Sequence, residues 1–177
     1  GIALPVVVLS ALLLYGLAIA GKLVAPLAAA PLRIAVIGER WWWRIHYLGA
    51  GGRIDVASAN EIRVPTGRPV EFILLTADVI HSFWAPNLGG KRDMIPGREN
   101  RIVFTAERAG IYRGQCAEYC GAQHAHMAFD VVAHEPADFE RWLTGQRRSA
   151  PAAADEWLVR GERIFRENGG GGCHRGR

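Results

Sequence analysis

Charged side chains are missing from the first 21 residues, GIALPVVVLSALLLYGLAIAG, and Lys22 is the first to appear. An apolar stretch of about 20 residues is long enough to cross a bilayer as a helix. No basic segment precedes it and no clear cleavage site follows, which argues against a secretory signal peptide. Because the chain starts at Gly1, further N-terminal residues are expected before it, and the flanking charge does not set the orientation. Cysteine is scarce: Cys116, Cys120 and Cys173 are the only three, and an odd count excludes a pure disulfide framework. Basic runs are lacking too. The formal net charge of +4 is scattered, and no Lys/Arg block alternates with aromatics, so no nucleic-acid partner is expected. A length of 177 residues suffices for one full domain plus something smaller.

After the apolar stretch, residues 23–32 (LVAPLAAAPL) form a Pro/Ala connector. The pattern then changes to short β-branched and aromatic runs separated by Gly, Pro, Asn and Asp. RIAVI, RWWWRIHY, RIDVA, EIRV, PVEFILLT, RIVFT and MAFDVVAH read as strands. Roughly a hundred residues of such strands predict an all-β sandwich or barrel over 33–145. At its end PADFERWLTG forms a short helix, opened by Pro136 and closed by Gly145. Residues 146–154 are a linker by composition. From 155 onward, Trp157, Leu158, Gly161, Ile164 and Phe165 recur at helical spacing, as at the start of a second domain.

Residues 116–127, CAEYCGAQHAHM, crowd two thiols, a carboxylate, two imidazoles and a thioether together. Cys116, Cys120, His124 and Met127 would share a helix face, but Gly114 and Gly121 weaken any helix, so a loop is expected. Soft thiolate and thioether ligands with imidazole favour copper, whereas a Cys/His set alone also suits zinc. Met127 tilts the choice to copper. Two thiolates can bridge two ions, each then needing a terminal imidazole and a weaker ligand. His81, just after the apolar run EFILLTADVI and in a loop at the same end of the sandwich, is the preferred second imidazole. His46 and His134 sit inside strand patterns and are weaker candidates; spacing alone does not exclude His126.

The stretches GERWWWRIHY, DVIHSFWAPNLGGKRDMIPGR, GIYRGQCAEYCGAQHAHM and PADFERW together resemble subunit II of the haem–copper cytochrome c oxidases. The resemblance runs from the apolar helix to about Leu143. It implies a transmembrane helix over 1–22, the second of the family's usual two, before a cupredoxin-like Greek-key domain that carries the dinuclear CuA centre. Carried over position by position, Cys116 and Cys120 bridge two coppers, and His81 and His124 are terminal imidazoles. Met127 is a weak thioether ligand, and Glu118 binds through its backbone carbonyl. The Glu118 carboxylate also reaches a magnesium ion at the interface with subunit I. The implied function is the uptake of electrons from cytochrome c, or a fused cytochrome c domain, and their relay to the haem groups and CuB of subunit I. Dioxygen is reduced there to water with proton pumping. Subunit III and membrane lipid are further expected partners. The implied location is the bacterial plasma membrane, with the copper domain on the extracytoplasmic, periplasmic side.

Within RWWWR (residues 40–44), strand alternation sends Trp41 and Trp43 to one face and Trp42 to the other. The resemblance assigns Trp41 to accept electrons from cytochrome c, leaving packing or membrane anchoring to Trp42 and Trp43. The family more often has a His-Gln pair before this tryptophan, where this chain has Glu39 and Arg40. The tail, 155–177, resembles the start of a fused cytochrome c domain. Covalent haem attachment uses C-x-x-C-H. Cys173 and His174 are present, but Gly170 takes the place of the first cysteine, so no bound haem c is expected. Two other functions share parts of this pattern: the CuA subunit of a nitric-oxide reductase, and a membrane-anchored copper carrier that exchanges metal rather than electrons.

Overall fold

The computed structural model describes residues 1–23, 30–148 and 154–168. Its first element is α1 (Ala3–Leu23), whose 19-residue stretch Ala3–Gly21 has a mean hydropathy of 2.4 and no buried residue. At 1.5 Å per residue its 21 residues cover the hydrocarbon thickness of a bilayer. The helix thus sits one or two residues later than expected. Most of the connector, and of the linker before residue 154, lies outside the described residues.

Among the described residues, ten strands follow in two five-stranded sheets. One contains β1 (Leu32–Glu39), β2 (Trp42–Leu48), β3 (Ile54–Ala59), β5 (Val70–Thr76) and β8 (Asn100–Phe104), in the order β3-β2-β1-β5-β8. The other contains β4 (Glu61–Pro65), β6 (His81–Trp84), β7 (Arg92–Met94), β9 (Gly110–Cys116) and β10 (Ala128–His134), in the order β4-β10-β9-β6-β7. The β1–β5 and β4–β10 pairs are parallel and the rest antiparallel. This is the expected β-sandwich. Leu32, read as connector, is the first residue of β1.

Alternation explains which residues meet between the sheets. Trp43, Ile45 and Tyr47 of β2 are buried, and so are Phe129, Val131 and Ala133 of β10. Trp43 is wholly buried at the centre, with Phe129 at 5.1 Å and Phe83 at 5.9 Å between ring centroids. Burying each such large side chain contributes about 1.5–3 kcal/mol. Asn60, in the left-handed region at φ 59°, carries the chain from β3 in one sheet to β4 in the other. It accepts from Trp43 N–H through Oδ1 at 2.8 Å and donates its own N–H to Trp43 O. Asparagine suits this position because its short polar side chain tolerates positive φ and replaces a backbone partner.

Two expectations are corrected. His81 does not sit in a loop: β5 ends at Thr76, the chain crosses to the second sheet, and His81 opens β6. The crossing is closed locally, with Thr76 Oγ1 donating to Val79 O at 2.6 Å and Asp78 N–H donating to Thr76 Oγ1 at 3.3 Å. Trp41 is not on a strand either. It lies in the turn between β1 and β2, so only Trp42 and Trp43 obey the alternation. Trp43 packs the core, while half-buried Trp42 lies under the Arg44 guanidinium, 5.5 Å from its ring.

Helix α2 (Pro136–Gln146) starts at Pro136 as expected, runs one residue past Gly145, and buries Phe139 and Leu143 against the sandwich. Helix α3 (Glu156–Glu167) is capped by Asp155, whose Oδ1 accepts from Leu158 N–H at 2.9 Å. Gly170, Cys173 and His174 lie outside the described residues.

Candidate metal centre

Strand β9 ends at Cys116, and a loop without helix carries Cys120 to a single 3-10 turn at His124–His126 before β10 begins. Cys116 N–H donates to Met127 O at 2.9 Å, which closes the loop at its base. The expected loop is therefore present, and its side chains converge. Cys116 Sγ lies 3.8 Å from Cys120 Sγ and 3.8 Å from His81 Nδ1. Cys120 Sγ lies 3.5 Å from His124 Nδ1 and 3.7 Å from Met127 Sδ. The Glu118 carbonyl oxygen is 3.1 Å from Cys116 Sγ, and the Glu118 side chain is exposed. His81, Cys116 and Cys120 present ligand atoms all within 4.8 Å of one another. His124 joins through Cys120, outside that compact group. His126 is exposed, and His46 and His134 stay on their strands, outside the donor set.

The spacing suits metal and not a disulfide. A disulfide needs a sulfur–sulfur distance of about 2.05 Å, and both cysteines are free. Two thiolates held at about 2.3 Å from one tetrahedral metal stand about 3.8 Å apart, and a thiolate and an imidazole about 3.5 Å. Cys116, Cys120 and Met127 are 4%, 4% and 1% exposed and His81 is 0% exposed, so the donors are withdrawn from water.

The surroundings favour thiolate at Cys116 and oppose it at Cys120. Burial raises the Cys116 thiol, but hydrogen bonds with His81 and the backbone of Ser82 and Glu118 outweigh it and hold the group below the usual thiol range. Burial raises Cys120, and the charge on Cys116 raises it further. At His81 burial lowers the pKa, and the Cys116 and Asp78 partners more than reverse that. A metal here would displace these protons, so its binding strengthens as pH rises.

Asp78 was passed over in the sequence, although its i, i+3 spacing to His81 in DVIH was the available signal. Its Oδ1 is 2.8 Å from His81 Nε2. A carboxylate only accepts, so Nε2 carries the proton and Nδ1 turns toward Cys116, the arrangement that orients a ligating histidine. Burial raises the Asp78 carboxyl, but hydrogen bonds from His81 and from the Arg40 and Val79 N–H groups bring it down to about 2.

Gly38 is the second residue missed. A Cβ there would stand 2.7 Å from His81 Cδ2, so the imidazole packs directly on the β1 backbone. Gly38→Ala is expected to push the ring out of line, costing about 1–3 kcal/mol of stability as overpacking. Thermal unfolding of the metal-free protein and metal release to a chelator would measure it; unchanged values in both would show that the ring has room to move.

Trp41 reaches the same loop. Its Nε1–H donates to Cys120 O at 3.2 Å, and its ring covers Gly121. Gly121 adopts φ +119°, and a Cβ there would lie 3.2 Å from Trp41 Cζ2, so both conformation and contact call for glycine.

Residues 48–134 match the family described as cytochrome C oxidase subunit II, periplasmic domain. The crystal structure of the periplasmic domain of subunit II of the Bradyrhizobium japonicum cytochrome oxidase is 31% identical, with a TM-score of 0.63, over 69% of this chain and 97% of that one. The chain belongs to the cytochrome c oxidase subunit II family. Cytochrome c oxidase subunit 2 of Alkalihalophilus pseudofirmus is 36% identical over 141 residues, 80% of this chain and 40% of the relative. That of Bacillus subtilis is 32% identical over 149 residues, 81% and 41% respectively. The chain thus spans about two fifths of the length of the curated relatives it matches. Membership in the subunit II family makes the sandwich cupredoxin-like and implies a copper centre, for which the buried His/Cys group is a candidate site.

Proposed function

We propose that this chain is the part of a membrane haem–copper cytochrome c oxidase at which electrons enter. His81, Cys116, Cys120, His124, Met127 and the backbone carbonyl of Glu118 would hold a dinuclear copper centre. The row His81–Cys116–Cys120–His124, buried except at half-buried His124, carries this reading, because each imidazole contacts a different thiol of a close pair. Because His124 lies outside the compact His81–Cys116–Cys120 group, two ions would use the whole row better than one. When bound, such a pair supplies a one-electron couple with the electron spread over two metals and two sulfurs. The residues do the rest. The sandwich fixes the donors, Asp78 holds the His81 tautomer, and burial excludes water, so little rearranges when charge changes. A copper carrier generally exposes its ligands, which speaks against that alternative.

Trp41, between the protein surface and the Cys120 carbonyl, would receive the electron from cytochrome c or a fused cytochrome c domain. Subunit I, with its haem groups and CuB, would accept it for reduction of dioxygen to water with proton pumping, alongside subunit III. The exposed Glu118 carboxylate would take Mg2+ at the subunit I interface, while its carbonyl faces Cys116. Helix α1 supports membrane anchoring through lipid, and the family's description supports a periplasmic position for 33–145 at a bacterial plasma membrane. Residues 155–177 would begin a cytochrome c-like domain without a bound haem. Metal analysis of the copper-loaded chain is expected to give two coppers, with one unpaired electron shared between both nuclei in paramagnetic resonance. A single copper, or zinc alone from copper-rich expression, would overturn the reading.

A further inference from the structure

We propose that Arg40 is a positioning residue for the metal centre, acting through Asp78 on His81; the effect on copper rests on the dinuclear reading above. Asp78 divides its two oxygens between two tasks. Oδ1 accepts from Val79 N–H at 2.7 Å and faces His81 Nε2 at 2.8 Å. Oδ2 accepts from the Arg40 backbone N–H at 2.8 Å and from Arg40 Nε at 3.3 Å. Two bonds on Oδ2 fix the rotation of the carboxylate and hence the direction in which Oδ1 meets the imidazole. The guanidinium also draws negative charge away from His81. A less negative carboxylate makes the imidazole a poorer electron donor at Nδ1, which disfavours the oxidised state of a bound metal.

Glu39 does not compete for this guanidinium, because its carboxylate pairs with Arg44. The next residue along, Trp41, binds the Cys120 carbonyl. One short turn between β1 and β2 therefore grips both parts of the site, His81 through Arg40 and Asp78, the cysteine loop through Trp41. The Arg40 side chain is 50% exposed, so its pairing with Asp78 adds little to folding stability and its field weakens with salt. The centre's electronic properties, rather than the fold, should register its loss.

The test uses the full chain in detergent, comparing wild type, Arg40→Gln, Asp78→Asn and the double variant. Arg40→Gln keeps the backbone N–H and is expected to retain the wild-type copper content. At fixed ambient potential its oxidised-to-reduced ratio should rise about threefold, a downward shift of about 30 mV at 59 mV per decade. In the Asp78→Asn background the same change should have no effect, since coupled residues are non-additive. In metal-free protein, nuclear magnetic resonance should show faster exchange of the His81 Nε2 proton in Arg40→Gln, and this arm holds whichever metal the chain binds. An equal potential shift in the Asp78→Asn background would make Arg40 a distant charge and overturn the proposal. Unchanged proton exchange in the metal-free variant would overturn it as well.

Discussion

Cys120→Ser is expected to destroy the dinuclear character of the proposed centre, leaving at most one copper and an unpaired electron confined to it. Cys120 Sγ is the node of the donor set, within 3.8 Å of Cys116 Sγ, His124 Nδ1 and Met127 Sδ. Serine offers a harder oxygen that stays protonated near neutral pH, and soft copper sites select thiolate over hydroxyl. Removing the node strands His124 and Met127 from the row. Met127→Leu is the contrasting variant. Its thioether touches only Cys120 among the donors, so both coppers should remain while the potential and the symmetry of spin sharing change. Metal analysis with paramagnetic resonance on both variants checks the pair. Identical spectra would show that bridging and tuning are not divided between these two residues as proposed.

Legibility differed between the donors and what holds them. The loop 116–127 was readable because its chemistry is local: six donor-bearing residues within 12 positions leave few alternative uses. The long strands were readable because alternation marks a half-buried face. Strands β6 and β7 were not, since four and three residues are too few for a period to declare itself. His81 consequently looked like a loop residue. Gly38 and Arg40 were opaque for another reason. Their roles exist only because β1 ends beside β6, a contact between sheets that no sequence spacing encodes. The departure at Glu39 and Arg40 was visible as an oddity, but its meaning needed Asp78 brought to within hydrogen-bonding distance. Trp41 shows the limit of periodicity. Its strand assignment failed because the turn occupies Arg40 and Trp41 and β2 begins at Trp42, two residues later than expected, while its indole bonds to Cys120 O in the cysteine loop.

Trp41→Ala in the assembled oxidase is expected to slow electron injection by at least an order of magnitude while leaving donor affinity nearly unchanged. The half-buried indole bonds to the backbone of the very residue proposed to bridge the metals. Removing it opens a gap of several ångströms on the path from a docked donor, and tunnelling through space falls steeply with distance. The indole N–H also steadies the cysteine loop, so lost injection could come from a displaced centre. Trp41→Phe separates the two causes, because it keeps an aromatic ring but removes the donor to Cys120 O. Trp43→Ala supplies the folding comparison. That ring is wholly buried among Phe83 and Phe129, and its loss should cost about 3–5 kcal/mol of stability. Copper content and thermal stability are measured first, followed by flash-induced electron injection beside equilibrium docking. Slow injection in Trp41→Ala with near-normal rates in Trp41→Phe assigns the ring to electron uptake. Equal slowing in both, with an altered copper spectrum, assigns Trp41 to holding the loop, and wild-type rates in Trp41→Ala would remove it from the path altogether.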